Sequence, residues 1–204
     1  MSQPEQPQLY LLTPPVFELS QFPDMLARVL DAHPTACLRL ALATRDEDRI
    51  ARAADACRAV AHARDVAIVV DDHAGLATRL GLDGVQLTDA ARSVRDARKA
   101  LGPDGIVGSF CGTSRHDGMT AGEAGADYIA FGPVTALADE AVADADLFAW
   151  WSEMIEVPVV AEGGMTAAQV TALAQVTDFV AVGEEIWGHD DPAAALATLL
   201  APLG

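Results

Sequence analysis

Eight times along this chain a short apolar run breaks at glycine, proline or a polar residue and gives way to helical spacing. That alternation is its strongest constraint. The runs lie at 8–13, 37–42, 66–71, 83–87, 106–109, 126–134, 157–161 and 179–182. The stretch 126–134, ADYIAFGPV, shows the plan best: an aromatic and β-branched strand stops at Gly132-Pro133. VPVVAEGGM and DFVAVGEE repeat it. Strict alternation at a spacing of roughly 20–30 residues calls for parallel strands with helices outside. Eight such units predict one closed (β/α)8, or TIM, barrel over 1–204, near the lower size limit of about 200 residues for that fold. Residues 1–7 read as a loose lead-in.

The helical stretches carry their own punctuation. Pro23 fits a first turn. Thr44 with Glu47, and Thr166 with Gln169, read as capping boxes, and Ser93 as a cap of the helix ending at Leu101. A weak helix is expected near 119–123, another over 139–155, and Asp191-Pro192 opens the last. No residue-level internal repeat is evident.

The formal charge of −17 argues against nucleic acid or anionic membrane as partner. Three cysteines, Cys37, Cys57 and Cys111, without a CxxC pair give neither a zinc site nor a disulfide framework. No run is long enough to span a bilayer, and MSQPEQPQ is not a secretory signal, so a reducing cytoplasm is the expected setting.

In a barrel of this kind the active face is built just after each strand. Gly163-Gly164, before a Thr-capped helix, reads either as a phosphate cradle or as a tight turn that needs two glycines. Glu162, Glu184 and Glu185 count against phosphate there. Asp71-Asp72 reads either as a Mg2+ contact, with Asp89 as partner, or as a helix cap beside a solvated carboxylate. Arg39 lies inside an apolar strand and needs an anionic partner: a bound anion, or Asp71 or Asp72. His73, His116 and Cys111 are weaker candidates for acid/base or nucleophilic work. Markers of P-loop, dinucleotide-binding and α/β-hydrolase sites are absent from the sequence.

QLYLLT, DGVQL, ADYIAFGPV, PVVAEGGM and VAVGEEI occur here in that order. Over nearly its whole length the chain thereby resembles the thiamine phosphate synthase/TenI family, whose matching segments read DGVHL, ADYIGFGPVF, PVVAIGGI and VAVVSAI. The resemblance implies a (β/α)8 barrel that joins a pyrimidine pyrophosphate to a thiazole phosphate with Mg2+. TenI-like members instead tautomerise the thiazole phosphate, although Pro133 stands where their histidine is expected. It implies Arg39 and Asp72 as catalytic residues, and Asp71, Gly132, Pro133, Gly163, Gly164 and Gly183 as substrate-binding residues. Asp72 would be the metal ligand, with Asp89 two residues before Ala91, where the family's second metal aspartate falls.

The sequence also departs from that pattern. Cys37 and Ala41 replace the glutamine and lysine of QLRxK. Phe110 replaces the serine of GVS, and Glu184 that of VVSAI. TALADEAVADAD replaces the family's FPTxTK and has no lysine. A leaving pyrophosphate needs cations and donors. These losses lead to the expectation of a divergent member, without synthase activity at an ordinary rate, that binds a small phosphorylated thiazole or pyrimidine ligand. Two alternatives stand beside it. One is an active synthase with a relocated site using Asp72, Asp89 and Arg39. The other is a non-catalytic interaction protein, with Trp150-Trp151 or Trp187 at a contact. A homo-oligomer is compatible with each.

Overall fold

The computed structural model describes residues 6–136 and 141–204. Residues 1–5 of the expected lead-in, and residues 139 and 140 of the acidic segment, lie outside the described residues. Eight strands follow in order: β1 (Gln8–Leu12), β2 (Thr35–Leu40), β3 (Ala67–Asp71), β4 (Gly84–Leu87), β5 (Ile106–Phe110), β6 (Tyr128–Phe131), β7 (Val159–Ala161) and β8 (Phe179–Val182). They pair in parallel, in sequence order, and β1 closes on β8 with Gln8 opposite Phe179. The helices are α1 (Phe22–Ala32), α2 (Glu47–His62), α3 (Ala74–Leu80), α4 (Val94–Leu101), α5 (Arg115–Ala124), α6 (Ala145–Met154), α7 (Ala167–Leu173), α8 (Glu184–Trp187) and α9 (Pro192–Leu200).

Each strand buries both faces. In β3, Ile68 and Val70 join the layer under the helices, while Val69 packs in the lumen with Tyr10, Cys37, Tyr128, Ala130, Val160 and Ala181. That division explains a continuous apolar run in place of alternation. Three polar groups are sealed in the lumen and answer one another. The Tyr10 and Tyr128 hydroxyls are 2.7 Å apart, and Tyr10 Oη donates to Gln86 Oε1 at 3.4 Å. Gly108 makes room for them, because a Cβ there would stand 2.1 Å from Tyr128 Cζ.

The amino-terminal face carries a recurring clip. Asp83, Asp127 and Asp178 stand just before β4, β6 and β8. Each carboxylate accepts the N–H near the start of the preceding strand: Ile68 at 2.7 Å, Val107 at 2.7 Å and Val159 at 2.8 Å. One aspartate in each of these three pairs, β3–β4, β5–β6 and β7–β8, thus ties odd strand to even strand. Those three pairs share a repeat one residue deep.

Several boundaries differ from expectation, each for a local reason. β2 ends at Leu40 rather than 42, because Thr13 Oγ1 takes the Ala41 N–H at 3.1 Å and the chain peels away. The cap of α2 is Asp46, which accepts from Asp48 and Arg49; Thr44 Oγ1 instead accepts from Asp46 N. Ser93 makes no cap, since its hydroxyl donates to Asp89 Oδ2 at 2.6 Å. Thr166 caps α7, but the Gln169 amide donates to Val134 O rather than closing the box. α5 is longer than expected and is capped by Ser114. The 139–155 reading narrows to α6, capped by Asp144. The expectation had no helix at α8.

Candidate active site

The carboxyl ends of β2, β3 and β7 bring three charged side chains together. Arg39 is only 6% exposed in the upper lumen. Its Nε and Nη2 donate to the two oxygens of Asp71, at 2.6 and 3.1 Å, a bidentate pair. Its Nη1 donates to Glu162 Oε2 at 3.0 Å and to Oε1 at 3.2 Å. Of the partners weighed from sequence, Asp71 is present and Asp72 is not. Glu162, noted only as a charge unfriendly to phosphate, is the second. The missed signal was position: the residue after β7 faces the lumen across from β2.

One positive charge therefore faces two carboxylates. Burial pushes Asp71 and Glu162 above the usual carboxylate range, and the Arg39 charge pulls them part of the way back. Burial opposes the charge on Arg39, yet Glu162 and Asp71 hold its pKa well above its ordinary value. Burial likewise raises Tyr10 and Tyr128, so the floor beneath this cluster is uncharged.

Asp72 points elsewhere. It adopts a left-handed backbone, φ 54°, and both carboxylate oxygens hold Thr88 at the end of β4: the N–H at 2.8 Å and the hydroxyl at 2.6 Å. It is exposed. Neither aspartate caps α3, whose N-cap is His73. A cavity of about 590 Å³ lies beside the pair, lined by Leu42, Thr44, Arg45, Asp71, Asp72 and His73 among others. Arg45, which sequence reasoning passed over, brings a cation to that wall. It lies in the loop after β2, four residues past the position expected to hold lysine.

Among the described residues there is no group of three or more His, Cys, Asp or Glu that could hold a metal ion. Mg2+ asks for less, usually one or two carboxylates plus waters and substrate phosphates. Asp89 fits such a role in one respect, because its Oδ1 is buried without a hydrogen-bond partner. Asp72 fits in another, since each of its oxygens has accepted one bond and retains a lone pair.

Gly163 and Gly164 adopt φ of 87° and 76°, which side-chain-bearing residues resist. They are also pressed by the loop after β6: Cβ atoms there would stand 2.9 Å from Pro133 Cα and from Thr135 Cβ. Val134 and Thr135 donate their N–H groups to Gly163 O. The tight-turn reading of the two glycines is thus present in the geometry, and the loop carrying Gly132-Pro133 is fastened to that turn. Gly183, at the end of β8, gives its N–H to Glu185 Oε2 at 2.7 Å.

Two of the weaker candidates, Cys111 and His116, fall away. Cys111 is buried, and burial raises its thiol to about 11, so it has no thiolate character at neutral pH. His116 sits exposed on α5. The contact role weighed for the tryptophans is mostly occupied inside the fold. Trp151 is buried and donates to Val157 O, and Trp187 donates to Leu12 O. Trp150 lies under the Arg115 guanidinium, 4.7 Å from its centroid.

A closed eight-stranded parallel barrel with its polar cluster at the carboxyl ends of β2, β3, β4 and β7 has the architecture of the (β/α)8 enzymes. Residues 9–186 match the family described as thiamine monophosphate synthase, and the chain belongs to that family. A thiamine-phosphate synthase of Rhodospirillum centenum is 44% identical over 194 residues, covering 93% of this chain and 94% of its own. One from Erythrobacter litoralis is 39% identical over 198 residues, covering 93% and 92%. Among solved structures, a thiamine phosphate pyrophosphorylase from Pyrococcus furiosus superposes with a TM-score of 0.81 at 23% identity, over 96% of this chain and 94% of that one. At that identity the likeness speaks for the fold. Among the described residues, no helix is long and apolar enough to cross a membrane.

Proposed function

We propose that this chain is an active thiamine-phosphate synthase, joining a pyrimidine pyrophosphate to a thiazole phosphate with release of pyrophosphate, and that its anion-handling groups have moved. The observation that carries the reading is the 44% identity to a protein of that name over nearly the full length of both chains. The departures seen in the sequence are then changes of grip within one activity. The geometry supports a division of labour. Arg39 is neutralised by Asp71 and Glu162, so its work is to hold those carboxylates rather than to meet an incoming anion. Arg45 on the cavity wall is the cation positioned to take part of the pyrophosphate charge. The Tyr10–Tyr128–Gln86 floor closes the lumen from below, which keeps bulk water from the reacting centre on that side.

Asp72, braced by Thr88, and Asp89 would hold Mg2+, which when bound supplies charge to the pyrophosphate oxygens. The reading has Asp72→Ala lowering turnover by about 100-fold or more with the fold retained, an effect of the size seen when a catalytic electrostatic contact is removed. An unchanged rate in Asp72→Ala would remove Asp72 from the site.

A second reading, a family member without synthase chemistry, is favoured by one specific observation: the guanidinium of Arg39 is already spent on two carboxylates. On that reading the chain binds a phosphorylated thiazole or pyrimidine without turnover. Ligand-induced thermal stabilisation in the absence of pyrophosphate release would select it.

A further inference from the structure

The loops after β1 and β2 enclose a groove of about 320 Å³, within the size range of small-molecule sites. Its two sides are fastened to each other, because the Ala43 N–H donates to Pro15 O at 2.9 Å. Phe17 stacks on Phe22, with ring centroids 4.1 Å apart, and the Glu18 carbonyl accepts the Gln21 and Phe22 N–H groups where the chain turns into α1. One side of the groove is apolar: Val16, Phe17, Leu19 and Leu42 line it. Val16 is 67% exposed and Leu19 39%, two of the four large apolar side chains that stand exposed among the described residues. The fold thus concentrates uncovered apolar surface here.

The other side is α2. Arg49, Arg52 and Ala53 stand at i, i+3 and i+4, so one face of that helix turns all three toward the groove. Among the described residues neither guanidinium makes an ion pair, in a chain with 30 acidic and 13 basic residues. The acids on α2 are occupied elsewhere. Asp46 caps the helix, Glu47 pairs with Arg79, and Asp55 pairs with Arg58. Glu18 on the groove and Asp48 on α2 form no ion pair among the described residues. Two like charges three positions apart on a helix repel, and the fold leaves that repulsion standing beside an uncovered apolar wall.

We propose that this groove is a second ligand site, separate from the reacting centre, and that it takes a small aromatic phosphate. The phosphate accepts from Arg49 and Arg52 together, since a dianion answers two guanidinium groups where a carboxylate answers one. The ring covers Val16, Phe17 and Leu19. Free phosphate would use only the arginines, and a neutral ring only the apolar wall. Leu42, Ala43 and Thr44 line both this groove and the cavity beside Asp71 and Asp72, and so form the partition between them. The proposal does not rest on the synthase reading.

The test is calorimetric titration of the full chain with naphthyl phosphate, with inorganic phosphate and with neutral naphthol. The proteins are wild type, the double variant Arg49→Gln/Arg52→Gln, Leu19→Ser and Arg45→Gln. The double variant should bind naphthyl phosphate at least about tenfold more weakly than wild type, the scale of losing charge-assisted hydrogen bonds. Leu19→Ser, an exposed position whose change leaves the core intact, should also weaken it, and it carries the test if the double variant does not fold. Arg45→Gln, which removes a cation from the neighbouring cavity, should stay within about twofold of wild type. Inorganic phosphate should bind wild type at least about tenfold more weakly than naphthyl phosphate, and naphthol should not distinguish the double variant from wild type. An equal loss in Arg45→Gln would place the probe in the reacting cavity and overturn the proposal. So would an unchanged affinity in the double variant, inorganic phosphate binding as tightly as naphthyl phosphate, or no saturable binding by wild type. A wild-type dimer that the double variant dissociates, seen by sedimentation velocity, would give the groove to a second copy of the chain instead. Pyrophosphate release is not read, so loss of the synthase reading leaves this comparison intact.

Discussion

At the scale of single residues, the buried ion cluster is the feature most exposed to test. Replacing Arg39 with methionine leaves Asp71 and Glu162 beside each other without a cation. Breaking a buried pair by removing one partner costs about 3–5 kcal/mol. Urea unfolding of Arg39→Met should therefore show a lowered midpoint with an unchanged slope. The cluster also fixes a pH dependence. Glu162 titrates in the folded chain above its ordinary value of 4.5, chiefly because it is buried. Between those two values the folded chain holds more protons than the unfolded one, so this site's contribution to stability falls as pH rises through that window. Glu162→Gln abolishes that titration. The variant should gain stability relative to wild type as pH rises from 4.5 toward neutrality, measured by denaturant unfolding across that range. A constant difference would show that Glu162 titrates normally. Arg39 was legible as an oddity in the sequence, since an arginine in CLRLAL must find an anion. Its choice of Asp71 over Asp72 was not, because neighbouring residues at a strand end face opposite ways. Asp71 closes β3 facing the lumen, and Asp72 turns through a left-handed backbone toward β4.

At the scale of elements, the aspartate clips make the barrel's strand pairs separable in experiment. Asp178→Ala deprives the Val159 N–H of its acceptor. A hydrogen bond to a charged group is worth about 1.5–3 kcal/mol, and a loss of that order is expected in global unfolding. Hydrogen exchange should report faster exchange at Val159 than at Ile68, whose clip from Asp83 is intact. Equal exchange at both would mean the clip does not hold the strand. The α2 terminus offers a second check. Asp46→Ala should cost about 1 kcal/mol, whereas Thr44→Ala should cost clearly less, because Asp46 and not Thr44 accepts the helix N–H groups. The strands and most helices could be read from apolar runs and turn residues. The caps were harder, since several Ser, Thr and Asp residues compete at each end and a one-residue choice depends on loop geometry. α8 was missed for a related reason. Its four residues are too short for any periodicity to show.

For the whole molecule, closure of the barrel was legible because eight strand–helix units leave few other ways to bury every strand on both faces. What the rhythm could not give was which loop ends converge across the lumen, and that is where the site's character lies. The acidic surface has its own consequence. A net charge of −17 on a 204-residue chain repels itself. Raising NaCl from about 10 mM to about 1 M shortens the screening length from about 30 Å to about 3 Å, and the melting temperature should rise with it. A fall would place the dominant electrostatics in attractive surface pairs. The central question remains whether a site with a neutralised arginine still performs the family's reaction. Pyrophosphate release by the purified chain, supplied with the pyrimidine pyrophosphate, the thiazole phosphate and Mg2+, answers it directly. Release that requires both precursors and collapses in Asp72→Ala is the outcome expected of an active synthase with a rearranged grip. No release above the precursor-free control, from folded protein that thiazole phosphate stabilises against heat, would mean that the barrel kept the ligand and gave up the chemistry.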